Sequence, residues 1–125
     1  MARHAVTTDK IAEPVGPFSP AIRAGDTLYL SGQVAQDPAT GQLMAGDVAA
    51  QTERIFRNVE SVLLAATLSL DHVVKVNVYL TDMKDYAAMN EVYARQFSAP
   101  PPARTTVAVV ALPLGGLVEI DVMAR

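Results

Sequence analysis

Two charged side chains stand where charges are costly. Arg104 lies near the start of a β-branched-rich run over residues 101–110, and Glu119 lies inside another over residues 117–123. Between them Leu112, Pro113, Leu114, Gly115 and Gly116 break the pattern, which predicts a β-hairpin. Side chains along a strand alternate between faces, so Arg104 and Thr106 share one face. Val118, Ile120 and Val122 form an apolar row, which sends Glu119 to the opposite face with Leu117, Asp121 and Met123. Antiparallel pairing of the two runs would bring Arg104 and Glu119 together. A guanidinium and a carboxylate are not left alone in a dry interior. Either they pair, on a solvent face or across a subunit interface, or they serve a ligand.

Other chemistry is thinly represented. The chain has no cysteine, which removes disulfides, thiolate nucleophiles and Cys-ligated metals. His4 and His72 are far apart without ligand spacing, so no metal is expected. Ser31 has no G-x-S-x-G frame and no histidine nearby in sequence to activate it. The net charge of −3, with scattered Lys and Arg, disfavours a nucleic-acid partner, because phosphate binding needs a concentrated basic surface. There is no run of about 20 apolar residues and no apolar signal core at the N-terminus, so neither membrane nor secretion is expected and the cytoplasm is the expected compartment.

The 125 residues suffice for one domain, 1–125, with a single core. Residues 13–20 hold three prolines and a glycine, which set a stiff loop with Phe18 as its large side chain, either a plug for the core or the wall of a pocket. Residues 21–31 read as a hairpin turning at Gly25, and Gly32 directly after it marks a bulge or a close backbone approach. Asp47 caps a helix to about residue 66, with Val48, Thr52, Ile55, Val59, Val62, Leu63 and Ala66 inward and Gln51, Arg54, Arg57, Asn58 and Glu60 mostly outward. Residues 73–80 form the strongest strand, with Val74, Val76, Val78 and Leu80 on one face. A second helix follows to about residue 97, its stripe of Tyr86, Met89, Asn90, Tyr93 and Phe97 containing one amide, Asn90, that must find a hydrogen bond in a neighbouring loop or a ligand. The order predicts an α+β layer, one mixed sheet with two helices on one face. The other face would then expose a valine-rich surface, and self-association is the simplest remedy.

In this order the residues also resemble the RidA/YjgF/Hmf reactive-intermediate deaminase family along nearly the whole chain. The matching stretches are Gly16-Pro17-Phe18-Ser19-Pro20, Ser31-Gly32-Gln33, Asp37-Pro38 with Thr40-Gly41, and Gln51-Thr52 with Asn58. They continue with Val73-Val74-Lys75, Asp82-Met83, Asn90-Glu91-Val92-Tyr93, Pro102-Ala103-Arg104-Thr105, Leu112-Pro113 and Val118-Glu119-Ile120. The resemblance implies a chorismate-mutase-like (RidA-like) α+β fold. It also implies a homotrimer whose sheets form a barrel-like centre with ligand clefts between subunits.

For function, the resemblance implies a cofactor-free hydrolytic deaminase that turns reactive 2-enamine and 2-imine acids, such as 2-aminoacrylate, into 2-keto acids and ammonia. Arg104 would grip the substrate carboxylate, and Glu119 would position water and move protons. Phe18, Ser31, Gly32, Asn90 and Thr106 would line the substrate. Two positions depart from the commonest family pattern: Phe18 stands for a tyrosine, and Thr106 for a frequent cysteine. These changes bear on substrate preference and rate. The competing readings are a pathway-dedicated enzyme of aminomuconate deaminase type and a non-catalytic trimeric module that binds small carboxylates or shields client proteins. Glu119 separates catalysis from binding, since holding a carboxylate needs no general base.

Overall fold

The computed structural model describes residues 2–125. Its elements in chain order are β1 (His4–Val6), β2 (Ala21–Ala24), β3 (Thr27–Leu30), α1 (Val48–Ala65), β4 (Val73–Leu80), α2 (Tyr86–Ala94), β5 (Ala103–Ala108) and β6 (Val118–Ala124). The strands make one six-stranded sheet in the order β1-β2-β3-β6-β4-β5. All pairs are antiparallel except β4 with β5, which are parallel. A parallel pair needs a crossover, and α2 supplies it.

The expected α+β layer is present: Ile55, Phe56, Val59 and Val62 of α1 and Met89 of α2 pack on Val76, Val78, Val118 and Ile120 in one core. Asp47 caps α1 as expected, its carboxylate accepting from the Ala50 N–H at 2.9 Å. The hairpin of β2 and β3 turns at Gly25, whose φ of +60° suits glycine.

Several expectations change. Residues 4–6 of the polar N-terminal stretch add an edge strand, β1, that no sequence pattern signals. The C-terminal hairpin does not exist: β5 pairs only with β4, and β6 enters between β3 and β4. Central placement lets the apolar row of β6 bury completely, whereas pairing it with the edge strand would leave one side unpaired. A register shift between Val73 and Lys75 turns Val73 inward and leaves Val74 exposed, although Val76, Val78 and Leu80 are inward as expected. Gln51 and Asn58, expected to face away, are buried because each ties a loop to α1. Gln51 accepts from the Leu117 N–H at 2.9 Å, and Asn58 donates to the Gln36 carbonyl at 3.0 Å.

The face without helices is not the valine surface that the alternation suggested. It carries Lys75, Asn77, Tyr79, Thr105, Glu119 and Asp121, because each is the register partner of another outward residue. None of the helices is long and apolar enough to cross a membrane among the described residues.

Candidate functional site

Arg104 is the register partner of Val76, so its side chain leaves β5 on the helix side of the sheet. There α2 receives it. Tyr86 and Asn90 lie one turn apart on the helix, and Tyr93 follows on the same stripe. Nη1 donates to Asn90 Oδ1 at 2.7 Å and Nη2 to the Tyr86 hydroxyl at 2.9 Å. The guanidinium carbon sits 4.6 Å from the Tyr93 ring centre and 5.6 Å from that of Tyr86, a cation–π contact on two rings. Asn90 therefore finds its partner in Arg104, a third outcome beside the loop and the ligand.

This nest sets the acidity of its tyrosines. Hydrogen bonding with Asn90, and then the charge of Arg104, lowers the Tyr86 phenol below its ordinary range. Burial raises that of Tyr93, against the pull of Arg104. Among the described residues no carboxylate lies within ion-pair distance of Arg104; the ion pairs involve Arg57, Lys84 and Arg125. The guanidinium is thus oriented by neutral groups with its charge unspent. Thr106, on the same side of β5, has a buried hydroxyl with no partner.

Glu119 lies elsewhere. Its register partner is Tyr79, so it projects from the face without helices. Gln33 and Ile120 exchange backbone hydrogen bonds at 2.8 and 3.1 Å, which lays the segment after β3 along β6 and sets Gly32 against the Glu119 carboxyl. A Cβ at Gly32 would meet Glu119 Cδ at 2.8 Å, so only glycine fits without moving the acid. The close approach expected at this glycine is with Glu119. Ser31 donates to the Ser19 carbonyl at 2.7 Å, and its N–H to that of Pro20 at 2.9 Å, fastening the proline loop beside the same segment. Phe18 on that loop is 48% exposed, which fits a wall and rules out a plug of the core. Burial, and next the neighbouring Asp121 carboxylate, raise the pKa of Glu119 above the ordinary carboxylate value.

The expected site residues therefore form two groups. Asn90, Arg104 and Thr106 lie at the β5–α2 edge, and Gly32 lies against Glu119 of β6 on the far face, next to Ser31, with Phe18 on the loop that Ser31 fastens. The expected proximity of Arg104 and Glu119 fails within one chain: β4 runs between their strands, three register positions separate them, and they project from opposite faces. Two strand spacings of about 4.8 Å and three residues of about 3.3 Å keep them apart even before side-chain direction counts. In the sequence Tyr86 and Tyr93 are legible only as part of a packing stripe. Their spacing around Asn90 was the available signal, but nothing in it named Arg104 as the occupant.

A family model described as Endoribonuclease L-PSP matches residues 8–125. "Protein DfrA" of Myxococcus xanthus is 48% identical over 99% of this chain and 96% of its own. A "2-iminobutanoate/2-iminopropanoate deaminase" of Capra hircus is 40% identical over 99% of this chain and 90% of its own. Among solved structures, RidA from an Antarctic Psychrobacter superposes with a TM-score of 0.94 at 46% identity, covering 98% of this chain and 99% of that one. These relatives carry different functional names but match this chain over nearly its whole length, and with them this chain belongs to the RidA/YjgF family.

Proposed function

We propose that this protein hydrolyses 2-imino acids, and their enamine tautomers, to 2-keto acids and ammonia without a cofactor. The observation that carries the reading is Arg104: a guanidinium stacked on Tyr93, steered by Asn90 and Tyr86, and without an ionic partner among the described residues. A fork oriented in this way is suited to a carboxylate on a small substrate. Similarity to relatives named 2-iminobutanoate/2-iminopropanoate deaminase supports the choice of imine.

Glu119 supplies the proton handling. As a water oxygen bonds to the imine carbon, the carboxylate takes a proton from the water and then delivers it to the nitrogen. The carboxylate next takes the hydroxyl proton of the resulting carbinolamine and passes it to the amino nitrogen as the C–N bond breaks, so the C=O bond forms and ammonia leaves. A raised proton affinity suits a group that must both accept and return a proton near neutral pH. Phe18 walls the cleft, Ser31 and Thr106 offer hydroxyls, and Gly32 lets the substrate side approach Glu119.

Because Arg104 and Glu119 leave opposite faces of one sheet, they meet on one small substrate only if they come from different copies. A homotrimer with the edge of β5 and α2 of one subunit against the Glu119 face of the next satisfies this requirement. RNA cleavage, which the family description names, fits less well with a net charge of −3 and an isolated guanidinium.

The test is ammonia release from enzymatically generated 2-aminoacrylate, with wild type and Glu119→Gln side by side, and calorimetric titration of both with pyruvate. Wild type should accelerate release. The variant should keep its affinity for pyruvate and lose roughly 10²–10⁴-fold in turnover, the usual worth of a positioned acid/base. Pyruvate binding by wild type with no acceleration would favour the carboxylate-binding module.

A further inference from the structure

The face that carries Glu119 holds a polar arrangement that the chemistry above does not use. Asp121 is two residues along β6 on that face, and across on β4 Tyr79 is the register partner of Glu119 and Asn77 that of Asp121. Both β4 residues donate to Asp121. Asn77 Nδ2 reaches Oδ1 at 2.9 Å, and the Tyr79 hydroxyl reaches Oδ2 at 3.0 Å. Each carboxylate oxygen has its own donor, and all three side chains stand on central strands, where backbone motion is small. Tyr79 keeps its proton, because burial first, and the bond to Asp121 next, raise its pKa. The nearest cation on this face, Lys75, donates instead to Thr105 at 2.9 Å.

We propose that Asp121, clamped by Tyr79 and Asn77 on the same face as Glu119 and two residues along the same strand, is a positioning residue that acts electrostatically through Glu119. The inference rests on the reading of Glu119 as the proton-handling group. Residues two apart on a strand lie about 6.6 Å from each other. At that range, on a half-buried face, two carboxylates resist joint ionisation. Within the chain, the titratable groups that face Glu119 are Asp121 on its own strand, Tyr79 and Lys75 on β4, and Tyr29 on β3; Ser31 and Gln33 beside it are neutral. Within the chain only Lys75 opposes the effect, and it is directed away toward β5; in the proposed trimer Arg104 of the partner subunit also opposes it, equally in wild type and in Asp121→Asn. The two donors matter because they hold the anion in place without supplying a full positive charge that would cancel its field at Glu119.

The experiment is a ¹³C NMR titration of protein labelled at the glutamate carboxyl carbons, with Glu119→Gln to assign the signal, in wild type and Asp121→Asn. In Asp121→Asn the Glu119 carbon should titrate at lower pH, and the acidic limb of kcat/KM for imine hydrolysis should move the same way with KM little changed. Should Asp121→Asn fold poorly, Asp121→Ser removes the same charge and carries the same expectation. An unmoved Glu119 titration overturns the proposal, as does a uniform loss of activity at all pH values with the limb in place, which marks a structural role. A shifted titration in a protein that hydrolyses no imine upholds the network and rejects the proposed reaction instead.

Discussion

At the scale of single residues, the fold treats its two key charges differently. Arg104 is stabilised by neutral partners, so its replacement should be read as loss of shape as much as loss of charge. A lysine keeps the charge but loses the planar fork that spans Asn90 and Tyr86 and stacks on Tyr93. Arg104→Lys is therefore expected to lose imine hydrolysis almost as fully as Arg104→Ala; keto-acid formation within about twofold of wild type would make Arg104 a structural residue. Glu119 is a charge that the fold disfavours. Its folded pKa is raised, so its contribution to stability is whole below the unfolded carboxyl value of about 4.3 and is lost as pH rises through the folded value. Glu119→Gln has no charge to bury, and should melt above wild type near neutral pH, the gap closing as the pH falls toward about 4. A variant that melts lower at neutral pH would show instead that the carboxylate is held by favourable contacts.

At the scale of elements, the crossing of the segment after β3 over β6 decides where Glu119 can point. The paired hydrogen bonds of Gln33 and Ile120 hold that segment, and Gly32 gives the carboxyl its space. A methyl at Gly32 meets the far end of a flexible side chain, so the chain should yield by moving Glu119 and not by unfolding. Gly32→Ala is expected to keep a melting temperature within a few degrees of wild type while losing on the order of 10²-fold in turnover, as for other small misplacements of reacting groups. Unchanged kinetics in a folded Gly32→Ala protein would detach Glu119 from the reaction. The proline loop bearing Phe18 is tied to the same segment through Ser31, which joins the loop and the strand segment beside Glu119 into one local unit.

At the scale of the molecule, the proposed reaction requires assembly, because its two groups of candidate residues leave opposite faces of one sheet. The original reason for expecting self-association, an uncovered valine face, does not hold, since that face carries Lys75, Asn77, Tyr79, Glu119 and Asp121. The stronger reason is that Arg104 and Glu119 cannot reach one small molecule from opposite faces of one sheet. Light scattering at micromolar concentration is expected to give a mass near three chains of 13.3 kDa. A stable monomer that still hydrolyses imines would refute the shared cleft.

Local pattern carried much of this protein. Alternation placed Val118, Ile120 and Val122 inward and Glu119 outward; helical spacing placed Val48, Thr52, Ile55, Val59, Val62 and Leu63 of α1 inward; and Asp47 as its cap was legible, because each depends only on neighbours in sequence. The family was equally legible, because Arg104, Glu119, Asn90 and Gly32 stand in ordered motifs. What required the tertiary structure was pairing between distant segments. The insertion of β6 between β3 and β4 depends on which strand finds a fully covered place, and a break such as 112–116 looks the same whether its flanking strands pair or separate. That one choice of partner dissolved the hairpin, sent Arg104 to Tyr86 and Tyr93, and aligned Tyr79 and Asn77 with the carboxylates of β6. Alternation told which side of its own strand each residue takes, but the sheet order alone decided which sides coincide.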